Sequence, residues 1–363
     1  MAALIDKINE LKTHFETGHL IGIDIGLCSI KIILLSETKK NKYRIEKFKI
    51  IPLSEAAIIE DDVQKPDEII NAIYEAIKEL KISKKITCLG MNGPNTVTKR
   101  LHVPGGGKEE VEDSIMWESE QYIPFGSDDA EIHFSIINEN IDDDVIDVIV
   151  GAGRVDILEK YADYIKDSGL TAKIIDLNVF ALNNVFELIM GERLEEISQE
   201  GAILVDFGAQ YTTIIVYKRG GPILTKEIAL GGVLLTEEIQ RTMGVSYEEA
   251  EDLKIHGDDN GNLPEEILGL LESHNDKLFF ELKKVINFYI SAGSNEKVEH
   301  CFVTGGSARL PGIHDALKDL LDAEIEVLNP FDVFEIKGEH DEQELEELAN
   351  CGLIALGLGM RKI

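Results

Sequence analysis

The stretch Leu20-Ile-Gly-Ile-Asp-Ile-Gly-Leu-Cys-Ser-Ile-Lys-Ile-Ile-Leu-Leu35 decides the fold. Apolar runs flank an Asp-x-Gly bend, the pattern of a strand, a tight glycine turn and a returning strand. A second stretch repeats it: Gly201-Ala-Ile-Leu-Val-Asp-Phe-Gly-Ala-Gln-Tyr-Thr-Thr-Ile-Ile-Val-Tyr217. When Asp24 is laid on Asp206, Gly26 falls on Gly208 and the apolar runs coincide. One hairpin used twice points to a duplicated unit.

The pattern extends outward from each hairpin. Residues 43–52 alternate as a third strand. Residues 66–80 carry apolar positions at 69, 70, 73, 76, 77 and 80 behind Pro66, which predicts a helix. Residues 86–91 read as a buried strand. After the second hairpin come a Gly231-Gly232 turn, a helix, a helical 247–254 segment, a polar turn at 258–262 and a long helix over 263–292. The strand 298–304 runs into Gly305-Gly-Ser-Ala-Arg-Leu-Pro-Gly312, followed by a helix to 321, a strand at 325–328 and one last helix over 345–360.

Between the halves the order changes to strand (97–103), helix (108–122), strand (131–137) and strand (145–151), a small inserted unit. A helix over 155–166, a strand at 172–175 and a helix over 181–190 lead back. The alternation predicts an α/β class with mixed sheets. The expected organisation is a first domain over 1–91, an insertion over 92–170, a return and crossover over 171–200, a second domain over 201–330 and a closing segment over 331–363. The two halves are expected to face each other around a cleft.

Composition bounds the function. The 363 residues carry 36 basic and 68 acidic side chains, a formal charge of −32. That field repels nucleic-acid backbones and anionic lipid, so neither is an expected partner. A nucleotide is compatible with it, because a few backbone amides and one lysine make a local anion site. The acidic runs at 142–144 and 339–347 read as solvated surface. Cys28, Cys88, Cys301 and Cys351 lack CxxC spacing and read as four buried thiols in a reducing compartment. No apolar run is long enough to span a bilayer, and no signal peptide precedes the first strand. Leu4, Ile5, Ile8, Leu11 and Phe15 fall at helical spacing and predict a short docking helix.

The glycine bends suggest phosphate chemistry. A turn glycine lets a backbone N–H approach a phosphate oxygen without a Cβ in the way. Asp24 and Asp206 beside the turns could hold Mg2+, which keeps several waters and needs only one or two carboxylates. Lys31 on the returning strand could reach the phosphates. Gly305, Gly306 and Ser307 would let a base or ribose lie against backbone.

Taken together, Ile23-Asp-Ile-Gly-x-x-Ser-Ile-Lys31, Val205-Asp-Phe-Gly-Ala-Gln-Tyr-Thr212 and Val303-Thr-Gly-Gly-Ser-Ala-Arg-Leu-Pro-Gly312 resemble the two phosphate motifs and the adenosine motif of the actin, sugar-kinase and heat-shock-chaperone ATPases. Ala250-Glu-x-x-Lys254 is similar to their ribose-contacting helix. Within that superfamily, Trp117-Glu-x-Glu-x-x-Tyr-Ile-Pro-Phe125, Ile175-Asp-Leu-Asn-Val-Phe-Ala181, Leu328-Asn-Pro-Phe331 and Ala355-Leu-Gly-Leu-Gly-Met-Arg361 resemble the PilM family of type IV pilus assembly proteins. The FtsA cell-division family shares the insertion.

The resemblance implies an actin-like ATPase fold and an ATP and Mg2+ site made by Asp24, Gly26, Cys28, Ser29, Lys31, Asp206, Gly208, Ala209, Gln210, Gly231, Gly232, Glu251, Lys254, Gly305, Gly306, Ser307 and Arg309. It implies a cytoplasmic scaffold that binds the N-terminal cytoplasmic peptide of PilN through the inserted unit. Through PilN it would join the PilN–PilO complex and the pilus motor proteins at the inner membrane. Self-association is left open. Trp117, Tyr122 and Phe125 are groove candidates, with core packing the preferred reading. Leu27, Cys28 and Ala209 depart from the family's hydroxyl and acidic positions, which points to slow hydrolysis or none. By similarity to chaperone ATPases, Asp176 or Asn178 would orient an attacking water, with a helix cap as the equal alternative for Asp176. An FtsA-like filament former and a small-molecule kinase are the other readings.

Overall fold

The computed structural model describes residues 18–39, 42–119, 121–142, 145–258, 262–293, 298–321 and 323–363. The expected N-terminal docking helix, most of the acidic 142–144 run and most of the 258–262 turn lie outside them. From the start come β1 (Ile21–Ile25), β2 (Ser29–Lys39), β3 (Lys42–Pro52), the short pair β4 (Ile58–Ile59) and β5 (Asp62–Val63), α1 (Pro66–Glu79) and β6 (Ile86–Met91). The middle of the chain forms β7 (Thr96–Pro104), α2 (Lys108–Ser119), β8 (Ala130–Asp142), β9 (Val145–Arg154), α3 (Val155–Asp167), β10 (Thr171–Leu177), α4 (Asn178–Met190) and α5 (Leu194–Glu200). Then follow β11 (Ala202–Phe207), β12 (Thr212–Lys218), β13 (Gly221–Ile228), α6 (Gly232–Met243), α7 (Tyr247–His256), α8 (Glu265–Gly293) and β14 (His300–Thr304). The chain closes with α9 (Ile313–Leu320), β15 (Glu324–Val327), β16 (Phe334–Ile336), α10 (Glu342–Cys351) and α11 (Leu353–Gly359).

These elements form two units. The first takes the chain up to Asn92 with Leu158–Ile189 and Asn329–Ile363; the second takes Gly93–Ile157 and Met190–Leu328.

In the first unit the sheet order is β10-β6-β1-β2-β3-β16. β1 is antiparallel to β2 and parallel to β6, with Asp24 opposite Lys31. Every residue of β1 is buried, as its unbroken apolar run requires of a central strand covered on both faces. One face packs on α1 through Ile69, Ile73, Ala76 and Ile77 and on α3 through Tyr164 and Ile165. The other face meets α4 and α11 through Leu20, Cys88, Ala181 and Leu358. There the approach is backbone to backbone: a Cβ on Gly22 would collide with Ala355 O and Gly359 N, and one on Gly357 with Ala181 O.

The second unit repeats the topology as β13-β12-β11-β14-β15. β11 pairs with β12 so that Asp206 faces Thr213, the place Lys31 holds in the first hairpin. Leu278, Leu282 and Ile286 of α8 and Ile313 and Leu317 of α9 fill one face. α6, α7 and α8 make a separate cluster around Leu235, Ile239, Ala250, Ile267 and Leu271. The inserted sheet, ordered β7-β9-β8, packs on α2 through Val111 and Ile115.

Several expectations need correction. The last helix is two helices, with Gly352 closing α10 and opening α11. α2 stops at Ser119, whose carbonyl accepts the N–H of both Tyr122 and Ile123 as the chain turns toward Pro124. Cys28 and Cys351 are half-exposed rather than buried; Cys88 and Cys301 are buried, and burial pushes the Cys301 thiol up to about 12. Trp117 is 65% exposed, so core packing does not explain it; Tyr122 is also exposed and Ile123 fills the core instead.

Candidate functional site

The two hairpin turns are built alike. Gly26 N donates to Ser29 O at 3.0 Å, and Gly208 N donates to Tyr211 O at 3.0 Å. A Cβ on Gly208 would sit 2.8 Å from that Tyr211 carbonyl, which is why glycine stands there.

In the first unit the turn carries a buried ion pair. Lys31 Nζ lies 3.2 Å from Asp24 Oδ2, across the strand pair, with 9% and 4% of the two residues exposed. A Cβ on Gly26 would lie 2.9 Å from the ammonium, so the bare glycine gives it room. Burial works against the Lys31 charge, but Asp24, with Cys351 and Cys28 nearby, outweighs it and holds the ammonium above its ordinary value. Cys28 and Ser29 are half-exposed at the bend, and Cys28 O accepts Leu53 N at 2.9 Å.

In the second unit the turn is tied to α6 and to the Gly305 loop. Gly208 O accepts Gly232 N at 3.1 Å and Ser307 Oγ at 3.2 Å, and Ala209 O accepts Val233 N at 2.9 Å. Gly231 lies so close that a Cβ would strike Ala209 O. Thr212 Oγ1 donates to Leu230 O at 2.6 Å, fixing the segment that leads into α6. Gly305 has φ +97°, and a Cβ there would collide with Asp206 Oδ1 and Phe207 O, so the Asp206 carboxylate rests on the bare loop. Gln210 is half-exposed; Gly306 and Arg309 are exposed.

Beside this turn α6 and α7 share a polar knot. Lys254 Nζ donates to Glu251 Oε2 at 2.6 Å, to Thr236 Oγ1 at 2.8 Å and to Gly232 O at 3.3 Å. Thr236 Oγ1 donates to Glu251 Oε2 at 2.5 Å. A Cβ on Gly232 would meet Ser307 Oγ and come within 3.5 Å of Lys254 Nζ. The second unit therefore brings Asp206, Gly208, Ala209, Gly231, Gly232, Glu251, Lys254, Gly305 and Ser307 into one connected cluster. Thr212 and Thr236 belong to it and were not singled out from sequence; the spacing of Thr236 four residues after Gly232 was the available signal.

Asp176 is differently employed. Its Oδ2 accepts Arg361 Nε at 2.6 Å and its Oδ1 accepts Leu177 N at 2.9 Å, inside the first unit. The helix-cap reading does not describe it, because its bonds go to the next residue's N–H and to Arg361 rather than into the first turn of α4. Asn178 is buried, and its Oδ1 has no partner. Among the described residues no three His, Cys, Asp or Glu side chains are grouped to hold a metal.

Residues 22–363 match the family model described as type IV pilus assembly protein PilM. A cell division protein FtsA of Staphylococcus epidermidis is 23% identical over 43% of this chain and 37% of its own length. A second Staphylococcus epidermidis FtsA is matched over 32% of its length, so the match covers about a third of each of these relatives. The FtsA of Enterococcus faecalis is 20% identical over 87% of this chain and 79% of its own. Among solved structures, a PilM-PilN type IV pilus biogenesis complex superposes with a TM-score of 0.81 at 22% identity, covering 94% of this chain and 99% of that one. The ethanolamine utilization protein EutJ of Carboxydothermus hydrogenoformans superposes at 0.54 with 15% identity over 94% and 89%. The repeated sheet order and these neighbours make the fold actin-like, and the chain belongs to the PilM family of type IV pilus assembly proteins.

Proposed function

We propose that the protein is an ATP-binding scaffold of type IV pilus assembly with slow hydrolysis or none. The observation that carries this reading is the cluster in the second unit. A glycine turn, a helix N-terminus, a fixed carboxylate–ammonium pair and a loop held open by Gly305 stand together. Those groups suit a triphosphate, a ribose and a base. Asp24, Gly26, Cys28, Ser29 and Lys31 are proposed as phosphate-binding residues. Gln210, Gly306 and Arg309 are proposed as further contacts.

The carboxylates we propose for Mg2+ are Asp24 and Asp206. Slow turnover follows from the side chains that are already committed. Asp24 is paired with Lys31 and each oxygen of Asp176 already accepts one hydrogen bond, which supports weak water orientation.

The partner we propose is the N-terminal cytoplasmic peptide of PilN, held by the inserted sheet. Trp117, Met116, Tyr122 and Ile136 expose apolar surface there, and β8 is an outer strand able to accept an extended peptide by backbone pairing. PilO and the motor proteins would be reached through PilN at the inner membrane. No described helix is long and apolar enough to cross a membrane.

Calorimetry with ATP·Mg2+ and with a PilN N-terminal peptide tests both halves. Saturable binding of each is expected; absence of ATP binding sinks the nucleotide reading, and absence of peptide binding sinks the partner. The FtsA relatives favour a second reading, a filament former, which ATP-dependent sedimentation of polymers would support.

A further inference from the structure

The knot between α6 and α7 is asymmetric. Both bonds to Glu251 fall on Oε2: one from Thr236, one from Lys254. Oε1 is left as an acceptor on a side chain that is 32% exposed, while Lys254 is 8% exposed. Thr236 is fully buried, and its hydroxyl both donates to the carboxylate and accepts from the ammonium. The longest bond of the group, Lys254 Nζ to Gly232 O at 3.3 Å, is the one most easily exchanged for a ligand.

A carboxylate oxygen and an ammonium fixed side by side are an acceptor and a donor at the spacing of two neighbouring hydroxyls. That is the complement of a cis-diol. Without the threonine, Glu251 and Lys254 would keep their mutual attraction but lose the shared third partner that sets their rotamers. A pair of long side chains with no third partner loses more side-chain entropy in holding one geometry.

We propose that Thr236 is the positioning residue that makes this site selective for ribonucleotides. It locks Glu251 and Lys254 into the one arrangement that meets both hydroxyls of a ribose. The proposal rests on the nucleotide reading above and adds the sugar selectivity and the residue that sets it.

The test compares ATP with 2′-deoxy-ATP in the intact protein and in Thr236→Val, Thr236→Ser and Glu251→Gln, each checked for folding by circular dichroism. The intact protein should prefer ATP by about tenfold, the scale of one charge-assisted hydrogen bond. Thr236→Val, which keeps shape and drops the hydroxyl, should weaken ATP about tenfold, leave 2′-deoxy-ATP within twofold and erase the preference. Thr236→Ser should restore it. Glu251→Gln should erase it as well, which keeps the test decisive if the valine variant does not fold. Equal weakening of both nucleotides in Thr236→Val, or a preference unchanged by it, overturns the proposal and leaves ATP binding standing. An intact protein that binds neither nucleotide overturns the nucleotide reading and the proposal together.

Discussion

Arg100 and Asp147 form a buried pair that rivets the inserted sheet to the second unit's main sheet. Arg100 Nε donates to both Asp147 oxygens at 2.8 and 2.9 Å. The rest of the guanidinium reaches the carbonyls of Lys218 at 3.0 Å, Arg219 at 2.9 Å and Gly221 at 3.3 Å, in the turn between β12 and β13. Thr98 and Thr225 bond hydroxyl to hydroxyl along the same seam, and Gly93 N donates to Glu227 at 2.9 Å. Lysine could not serve here, because only a planar fork satisfies a carboxylate and three carbonyls at once.

Asp147→Asn should therefore destabilise the second unit by about 3–5 kcal/mol, the usual cost of stranding one member of a buried pair. Urea denaturation measures it. Hydrogen exchange should show the loss concentrated in β7 and β9; a uniform small change would contradict the rivet.

Gly305→Ala places a methyl group against Asp206 and Phe207 at φ +97°, so the loop must move. A stability loss of about 2 kcal/mol or more is expected. Nucleotide titration should show ATP affinity falling further than the stability change alone accounts for.

Lys31→Met and Asp24→Asn should each raise the ATP dissociation constant at least about tenfold, the scale of one lost charge-assisted contact. Each also breaks the buried pair, so melting temperatures are needed beside the titrations. If both variants bind ATP like the parent, the first hairpin has no part in the phosphate site.

Glu46 sets an acid limit on the first unit. Burial alone would raise its carboxyl, but Lys337, Ser36 and Arg44 together hold it down at about 2. A depressed carboxyl stabilises the fold above the unfolded value near 4.5, and that contribution is lost as pH falls toward 2. Glu46→Gln should cost about 3 kcal/mol at pH 7 by that linkage, and the difference from the parent should close between pH 4.5 and 2. Parallel acid-unfolding curves would contradict it.

Trp117→Ala should leave stability within about 0.5 kcal/mol, as for a surface site. If the inserted sheet takes the peptide, the same change should weaken PilN-peptide binding by about 2 kcal/mol, the scale of an aromatic anchor. Unchanged peptide affinity would move the contact away from α2.

The hairpins were legible because a glycine bend between apolar runs is a local pattern, and their duplication showed in the matched positions of Asp24 with Asp206 and Gly26 with Gly208. Strands of two or three residues, such as β4, β5 and β16, carry no periodicity, and β13 hides behind Pro222 and the charged Lys226-Glu227 pair. The polar partnerships were beyond reach for a different reason. Arg361 and Asp176 meet across 185 positions, and Thr236 meets Lys254 across the packing of two helices. The sequence supplies such side chains without saying which tertiary neighbour will claim them. Trp117 was misjudged because α2 has two faces and only one of them packs on the sheet.

The contact of α11 on β1 at Gly22, with no side chains between, has a mechanical consequence. A layer of leucines can slip a fraction of an ångström and repack, but bare backbones in touch leave nothing to shear. The amides of Ile21, Gly22 and Ile23 should then be the slowest in the first unit to exchange with deuterated solvent, marking the seam at which it comes apart last.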